Sequence, residues 1–114
     1  MLDIEYYNTI HEILKNYCIP KSLLGYEYLI TGIKILSENN NIPIVELYTQ
    51  IAECHNSEKS RVERAIRHAI ERGYDNCIDY KIDSFKNICL TGGRPTNSEF
   101  IKSIVFDLKY TKAY

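Results

Sequence analysis

Tryptophan is absent from this 114-residue chain, which also has only three prolines, one methionine and no long unbroken apolar run. A membrane-spanning helix needs roughly 20 consecutive apolar residues, so the sequence predicts none. The N-terminus carries Asp3 and Glu5 where a secretory signal would have lysine or arginine before an apolar stretch. We therefore expect a soluble cytoplasmic protein with no membrane partner.

Closely spaced cysteine pairs are also missing. The cysteines are Cys18, Cys54, Cys77 and Cys89. They form no C-x-x-C pair, and Cys54 alone has a neighbouring histidine, His55, which would lie on a different face of a helix. We predict buried free thiols, no metal site and no cofactor.

The sequence contains no recognisable catalytic pattern. The histidines, His11, His55 and His68, have no partner that the sequence places beside them as a nucleophile–base pair. Gly92 and Gly93 lack the spaced glycines and the lysine of a phosphate-binding loop. We therefore do not expect an enzyme.

Positive charge is scarce in the first half and concentrated in one later stretch. Up to Glu58 there are eight acidic residues and only three lysines, whereas the segment 59–72 has five basic residues and two acidic ones. The net charge of the chain is only -1. A nucleic acid responds to the local potential of the surface that it meets, so the basic stretch is informative despite the near-neutral total.

Apolar residues recur at intervals of three and four along most of the chain, which predicts an all-helical protein with one domain over residues 1–114. We predict helices over 4–17, over 23–36, from near Pro43 to Ala52, from Glu58 onward, and over 97–108. Asn56 and Ser57 are expected to form a short break and cap the fourth helix. Thr96 and Glu99 have the spacing of a capping box for the last helix. Residues 73–93 predict only one or two short helices, and residues 92–95 predict a loop.

The fourth helix is amphipathic. Its apolar stripe consists of Val62, Ala65, Ile66, Ala69 and Ile70. The opposite arc carries Ser60, Arg61, Arg64, Arg67 and His68. Two helices joined by a break of a few residues, the second with cations facing outward, indicate a helix-turn-helix.

The polar arc has two interpretations. Arginine matches the O6/N7 edge of guanine and glutamate accepts from the N4 amino group of cytosine, so Arg61, Glu63 and Arg64 can read a G/C-containing step. Arg67 and His68 lie farther along and are better placed for phosphate. Alternatively, Glu63 and Arg67 are an i, i+4 pair on a solvated helix, worth only about 0.3–0.5 kcal/mol.

Two blocks of sequence resemble a known family. They are S-R-V-E-R-A-I-R-H-A-I-E at 60–71 and R-P-T-N-S-E-F-I at 94–101. Both resemble the C-terminal DNA-binding domain of the sporulation master response regulator of endospore-forming bacilli and clostridia. G-Y-x-Y-L at 25–29 and L-Y-x-x-I-A at 47–52 match the same family in order, so the resemblance covers nearly the whole chain.

This resemblance implies a transcription regulator with about six helices of the winged-helix-like, response-regulator effector type. Its recognition helix, about 58–74, would enter the major groove of a TGTCGAA-type box. Base contacts would come from Arg61, Glu63 and Arg64. Backbone contacts would come from Ser60, Arg67, His68, Arg94, Thr96 and Ser98. The implied location is the bacterial cytoplasm, at the nucleoid.

The resemblance also implies partners: double-stranded DNA, a second copy in tandem on DNA, and a full-length relative or RNA polymerase. Family members carry a phosphoacceptor receiver domain, for which 114 residues leave no room, so we expect control without phosphorylation. Gly73 and Tyr74 replace an alanine and a tryptophan, which predicts an early end of the recognition helix. The alternative function is a protein-interaction module that modulates a full-length relative.

Overall fold

A computed structural model describes residues 3–88 and 93–111. The five α-helices are α1 (Asp3–Asn16), α2 (Leu24–Glu38), α3 (Ile44–His55), α4 (Lys59–Asp79) and α5 (Asn97–Thr111). A single-turn 3-10 helix, Ser84–Asn87, lies between α4 and α5. No strand occurs in these ranges, so the all-helical prediction is confirmed, with five α-helices where about six were expected.

Helix ends follow the local chemistry of the sequence. The first helix ends before Pro20, whose ring cannot continue a helix, and α2 ends at the run of three asparagines that begins at Asn39. The third helix begins at Ile44, directly after Pro43. The predicted capping box of α5 is confirmed: Thr96 N–H donates to Glu99 Oε1 (2.8 Å), and Glu99 N–H donates to Thr96 Oγ1 (3.1 Å).

The core is built around α2, which packs against each of the other four α-helices. Its closest approach is to α4, because a Cβ at Gly25 would lie 2.1 Å from the backbone oxygen of Ala65 and 2.8 Å from the Cβ of Ala69. Only glycine allows this separation. The buried stripe of α4, including Val62, Ile66 and Ile70, thereby faces α2 and the rest of the core.

The predicted recognition helix does not end early, so the prediction of an early end is wrong. The fourth helix continues to Asp79, beyond the expected end near residue 74. Gly73 is buried inside it, where a Cβ would lie 2.6 Å from the backbone oxygen of Tyr17. Glycine at this position costs about 1 kcal/mol in helix propensity, but it allows α4 to lie in close contact with the α1–α2 connection.

The predicted cap of α4 is also wrong. Its N-cap residue is Glu58, and no side chain there forms a capping hydrogen bond. Asn56 instead ends α3 in the left-handed conformation (φ 52°), which asparagine tolerates better than most residues. Ser57 contributes its N–H to α3, donating to Ala52 O (2.8 Å).

The cysteine prediction is confirmed only in part. Cys77 is buried, which raises the pKa of its thiol to about 12, and the neighbouring thiol of Cys18 adds to this rise. Cys18 is half-buried and Cys54 is exposed, because it lies on the outer face of α3. Cys89 falls outside the described residues. No group of three or more metal-ligating side chains occurs in the described part.

Beyond the end of α4, the described part of segment 77–93 contains one short helix, within the one or two that were predicted. The first residues of the segment belong to α4, and the single 3-10 turn places Phe85 in the core against Tyr17 and Phe100. The loop predicted at 92–95 is described from Gly93, which has φ 80°. Among the described helices none has the length and apolar character to cross a membrane.

Candidate nucleic-acid interface

One side of α4 is exposed along its first three turns. The exposed residues of the predicted polar arc are Ser60, Arg61, Arg64, Arg67 and His68. We call this set the basic face. The apolar stripe beneath it is buried, apart from half-buried Ala65, so packing fixes which side of the helix carries the cations.

The turn that leads into α4 is held by α2. The Tyr28 hydroxyl donates to Ser57 Oγ (3.1 Å), and the Tyr28 ring meets the His55 ring edge-on at 5.0 Å. Thr31 Oγ1 is hydrogen-bonded to His55 Nε2 (2.7 Å). With left-handed Asn56, these contacts join α3 and α4 by a turn of three residues, 56–58, the length typical of a helix-turn-helix.

Arg61 and Arg64 line an open groove of about 870 Å³ beside this turn. Its remaining lining residues are Leu24, Tyr28, His55, Asn56, Ser57 and Glu58. The first N–H groups of α4 lie at the same end and lack a side-chain cap. Cations beside the positive end of a helix dipole attract an anion such as a nucleic-acid phosphate.

Glu63 and Arg67 form an ion pair, Arg67 Nη1 to Glu63 Oε2, at 2.6 Å. The Arg67 side chain is 52% exposed and that of Glu63 33% exposed. An exposed i, i+4 pair contributes only about 0.3–0.5 kcal/mol, so another anion can displace the carboxylate at low cost. In the free protein, Glu63 and Arg67 therefore form the solvated i, i+4 pair of the second interpretation. Because this pair is weak, Arg67 can still bind another anion.

The loop before α5 borders the opposite side of α4. Arg94 Nη1 lies 3.9 Å from Glu71 Oε2, and Arg94 and Thr96 are exposed while Ser98 is half-buried. These three residues line a groove of about 400 Å³ together with Glu63, Arg67 and Glu71. The predicted residues therefore flank α4 in two sets, Arg61 and Arg64 by the turn and the loop residues beside Arg67.

A protein-family model matches residues 10–108, which is most of the chain. The family is described as sporulation initiation factor Spo0A C terminal. The chain belongs to this family. It is therefore related to DNA-binding domains that act in transcription regulation at sporulation initiation, as the two sequence blocks indicated.

Sequence reasoning missed a polar link beside the basic face of this Spo0A C-terminal family member. Asn97 is only 7% exposed, and its Nδ2 donates to Tyr48 Oη (3.0 Å) and to Glu63 O (3.1 Å). Burial raises the pKa of the Tyr48 phenol, and nearby Glu63 raises it further, while the bond from Asn97 and the charge of Arg67 lower it. The phenol is therefore neutral near pH 7. Both residues lie within the quoted blocks, but nothing in the spacing indicated that they meet.

Leu24 was also missed. It is 45% exposed at the start of α2 and lines the same groove as Arg61 and Arg64. The helical periodicity indicated only that it belongs to the helix predicted over 23–36. An exposed leucine becomes recognisable only when the packing places the start of α2 beside the turn.

Proposed function

We propose that this chain is a sequence-specific, double-stranded DNA-binding transcription regulator of sporulation initiation, acting as one domain over residues 1–114. The first turns of α4 enter the major groove of a TGTCGAA-type box. The observation that carries the proposal is the pair Arg61 and Arg64, both exposed and lining one groove beside the helix-turn-helix turn. Two arginines at that end of a recognition helix suit guanine edges.

Base reading is assigned to Arg61, Arg64 and Glu63. The two arginines donate to guanine O6 and N7, and Glu63 accepts from cytosine N4. In the free protein Glu63 is paired with Arg67 at 2.6 Å. On DNA a phosphate replaces Glu63 as the partner of Arg67, which frees the carboxylate for the base. This exchange keeps Arg67 paired and costs little because the original pair is solvated.

Backbone contacts are assigned to two groups of side chains. Ser60, Arg67 and His68 lie on the exposed arc of α4, and Arg94, Thr96 and Ser98 lie on the loop that borders it. Hydrogen bonds to phosphate fix the position of a protein on the duplex without specifying sequence. Loss of one such contact should therefore weaken binding to all sequences alike.

The proposal is tested by titrating the purified protein against a duplex with one TGTCGAA box and against a scrambled duplex of the same composition. Binding should favour the box at about 0.15 M salt, and affinity for both duplexes should fall as salt rises. Lys15→Ala is the matched control, because this exposed lysine lies on α1 and lines neither groove. Its affinities should equal those of the wild type.

Equal affinity of the wild type for the box and the scrambled duplex would contradict the proposal. No binding by the purified protein, with a shift that changes only when a full-length relative is added, would favour the protein-interaction module instead.

A further inference from the structure

A buried amide lies where α3, α4 and α5 meet. Asn97 is the first residue of α5. Apart from tyrosines and Cys77, it is the polar residue among those described that is buried as deeply as the core. Its Nδ2 group donates to the Tyr48 hydroxyl on α3 (3.0 Å) and to the Glu63 carbonyl on α4 (3.1 Å). One side chain therefore links both helices of the helix-turn-helix to a third helix.

These two hydrogen bonds are important for stability because Asn97 is buried. An amide removed from water without partners is strongly unfavourable, so Asn97 is stable at this position only while its donors meet the phenol and the carbonyl. A helix carbonyl has a second lone pair beyond the one used within the helix, and Glu63 O uses it here. Because the two bonds point to different helices, α4 cannot slide or rotate against α3 without breaking at least one of them.

The contact is made to the backbone of a residue that lies among those assigned to DNA. Glu63 is two residues after Arg61 and one before Arg64, and its side chain pairs with Arg67. On the other side, Asn97 follows Thr96, which the capping box fixes at the start of α5. The hydrogen bond from Asn97 to Glu63 O therefore connects the loop at 94–96 to the backbone of the recognition helix.

We propose that Asn97 is a positioning residue for sequence reading, which sets the register of α4 against α3 and α5 so that Arg61 and Arg64 reach base edges together. This inference rests on the proposed function. Asn97 itself touches no base. A bidentate arginine–guanine contact depends on orientation, whereas a phosphate contact tolerates a small shift of the helix. Loss of Asn97 should therefore reduce discrimination between sequences more than it reduces non-specific affinity.

The test compares the ratio of box affinity to scrambled-duplex affinity in the wild type, Asn97→Ala and Ile104→Val. Ile104 is a fully buried residue of the same helix, so its shortening destabilises α5 without removing a polar link. All measurements are made well below the melting temperature of each variant. We expect Asn97→Ala to lower the ratio about tenfold while leaving scrambled-duplex affinity and its salt dependence unchanged. Ile104→Val should keep the wild-type ratio.

Tyr48→Phe refines the test because it removes one of the two acceptors and leaves the Glu63 bond. We expect a smaller fall in the ratio than for Asn97→Ala. If Asn97→Ala does not fold, Asn97→Ser takes its place, since the shorter hydroxyl leaves room for a water and cannot span both bonds.

Two results would overturn the inference in distinguishable ways. A wild-type ratio in the folded Asn97 variant shows that the residue is merely structural, while the proposed function stands. A wild-type protein that does not prefer the box overturns the proposed function and this inference with it.

Discussion

Glycine is required at two contacts where α2 and α4 approach neighbouring backbone. Gly25 faces the carbonyl of Ala65, and Gly73 faces that of Tyr17. The backbone atoms at these contacts cannot rotate away as a side chain can. Gly25 therefore fixes the depth of α4 on the core, and Gly73 fixes the second half of α4 against the α1–α2 connection.

Gly25→Ala should lower the free energy of unfolding by about 1–3 kcal/mol, because the added methyl group would overlap Ala65 O. Gly32→Ala is the matched control on the same helix. Its Cβ would meet the end of the Ile51 side chain at 2.9 Å, which can move, and alanine gains up to about 1 kcal/mol of helix propensity. Chemical denaturation measures both. Equal stability of the two variants would contradict a fixed α2–α4 separation.

At the scale of the helices, patterns that act within a few residues were readable from sequence. Proline and asparagine marked the ends of α1 and α2, and the Thr96–Glu99 spacing predicted the capping box that opens α5. The exposed arc of α4 followed from its apolar stripe, which separated the cations from the core.

Features that depend on residues far apart in the sequence could not be predicted from the sequence. Gly73 suggested a helix end by its propensity, but its role depends on the backbone of Tyr17, 56 residues earlier in the sequence. The burial of Asn97 depends on Tyr48 and Glu63, which come from two other helices. For the candidate site, residue types and the exposed side of α4 were therefore predictable, whereas the contacts that orient the helix required the fold.

Thr96→Ala should destabilise the protein by about 1 kcal/mol, because the N–H of Glu99 loses its acceptor. Ser98→Ala, two residues later in the first turn of α5, is the control and should change stability by only a few tenths of a kcal/mol. Urea titration followed by circular dichroism measures both. A neutral Thr96→Ala would mean that the capping box does not stabilise α5.

At the scale of the whole molecule, the charged residues and the last helix help to decide whether two copies associate. On α5, Phe100, Ile104 and Leu108 face the core, whereas Lys102, Lys109 and the aromatic Phe106 are exposed. A single recognition module buries only about 600–1,000 Å² on DNA, which gives weak binding without a neighbour. We propose that the free protein is a monomer and that two copies bind adjacent boxes.

Two boxes at their natural spacing should therefore bind two proteins cooperatively. Moving one box by half a helical turn places it on the opposite face of the duplex and should abolish the cooperativity. Mobility shifts with one and two boxes measure this, and sedimentation without DNA measures the free state. Occupancy that is independent of spacing would contradict tandem binding, and a stable dimer in solution would contradict the monomer.

The central claim is that the exposed side of α4 reads base sequence, and a set of duplexes carrying every single-base change in the TGTCGAA box tests it most directly. The affinities of the wild type, Arg64→Ala and Arg67→Ala are measured across the set by competition anisotropy. Arg64→Ala should lose about 1–3 kcal/mol of discrimination at one base pair and keep the wild-type preference elsewhere. Arg67→Ala should weaken binding to every duplex by a similar factor. A uniform loss for Arg64→Ala, with the preference at every position intact, would contradict the account.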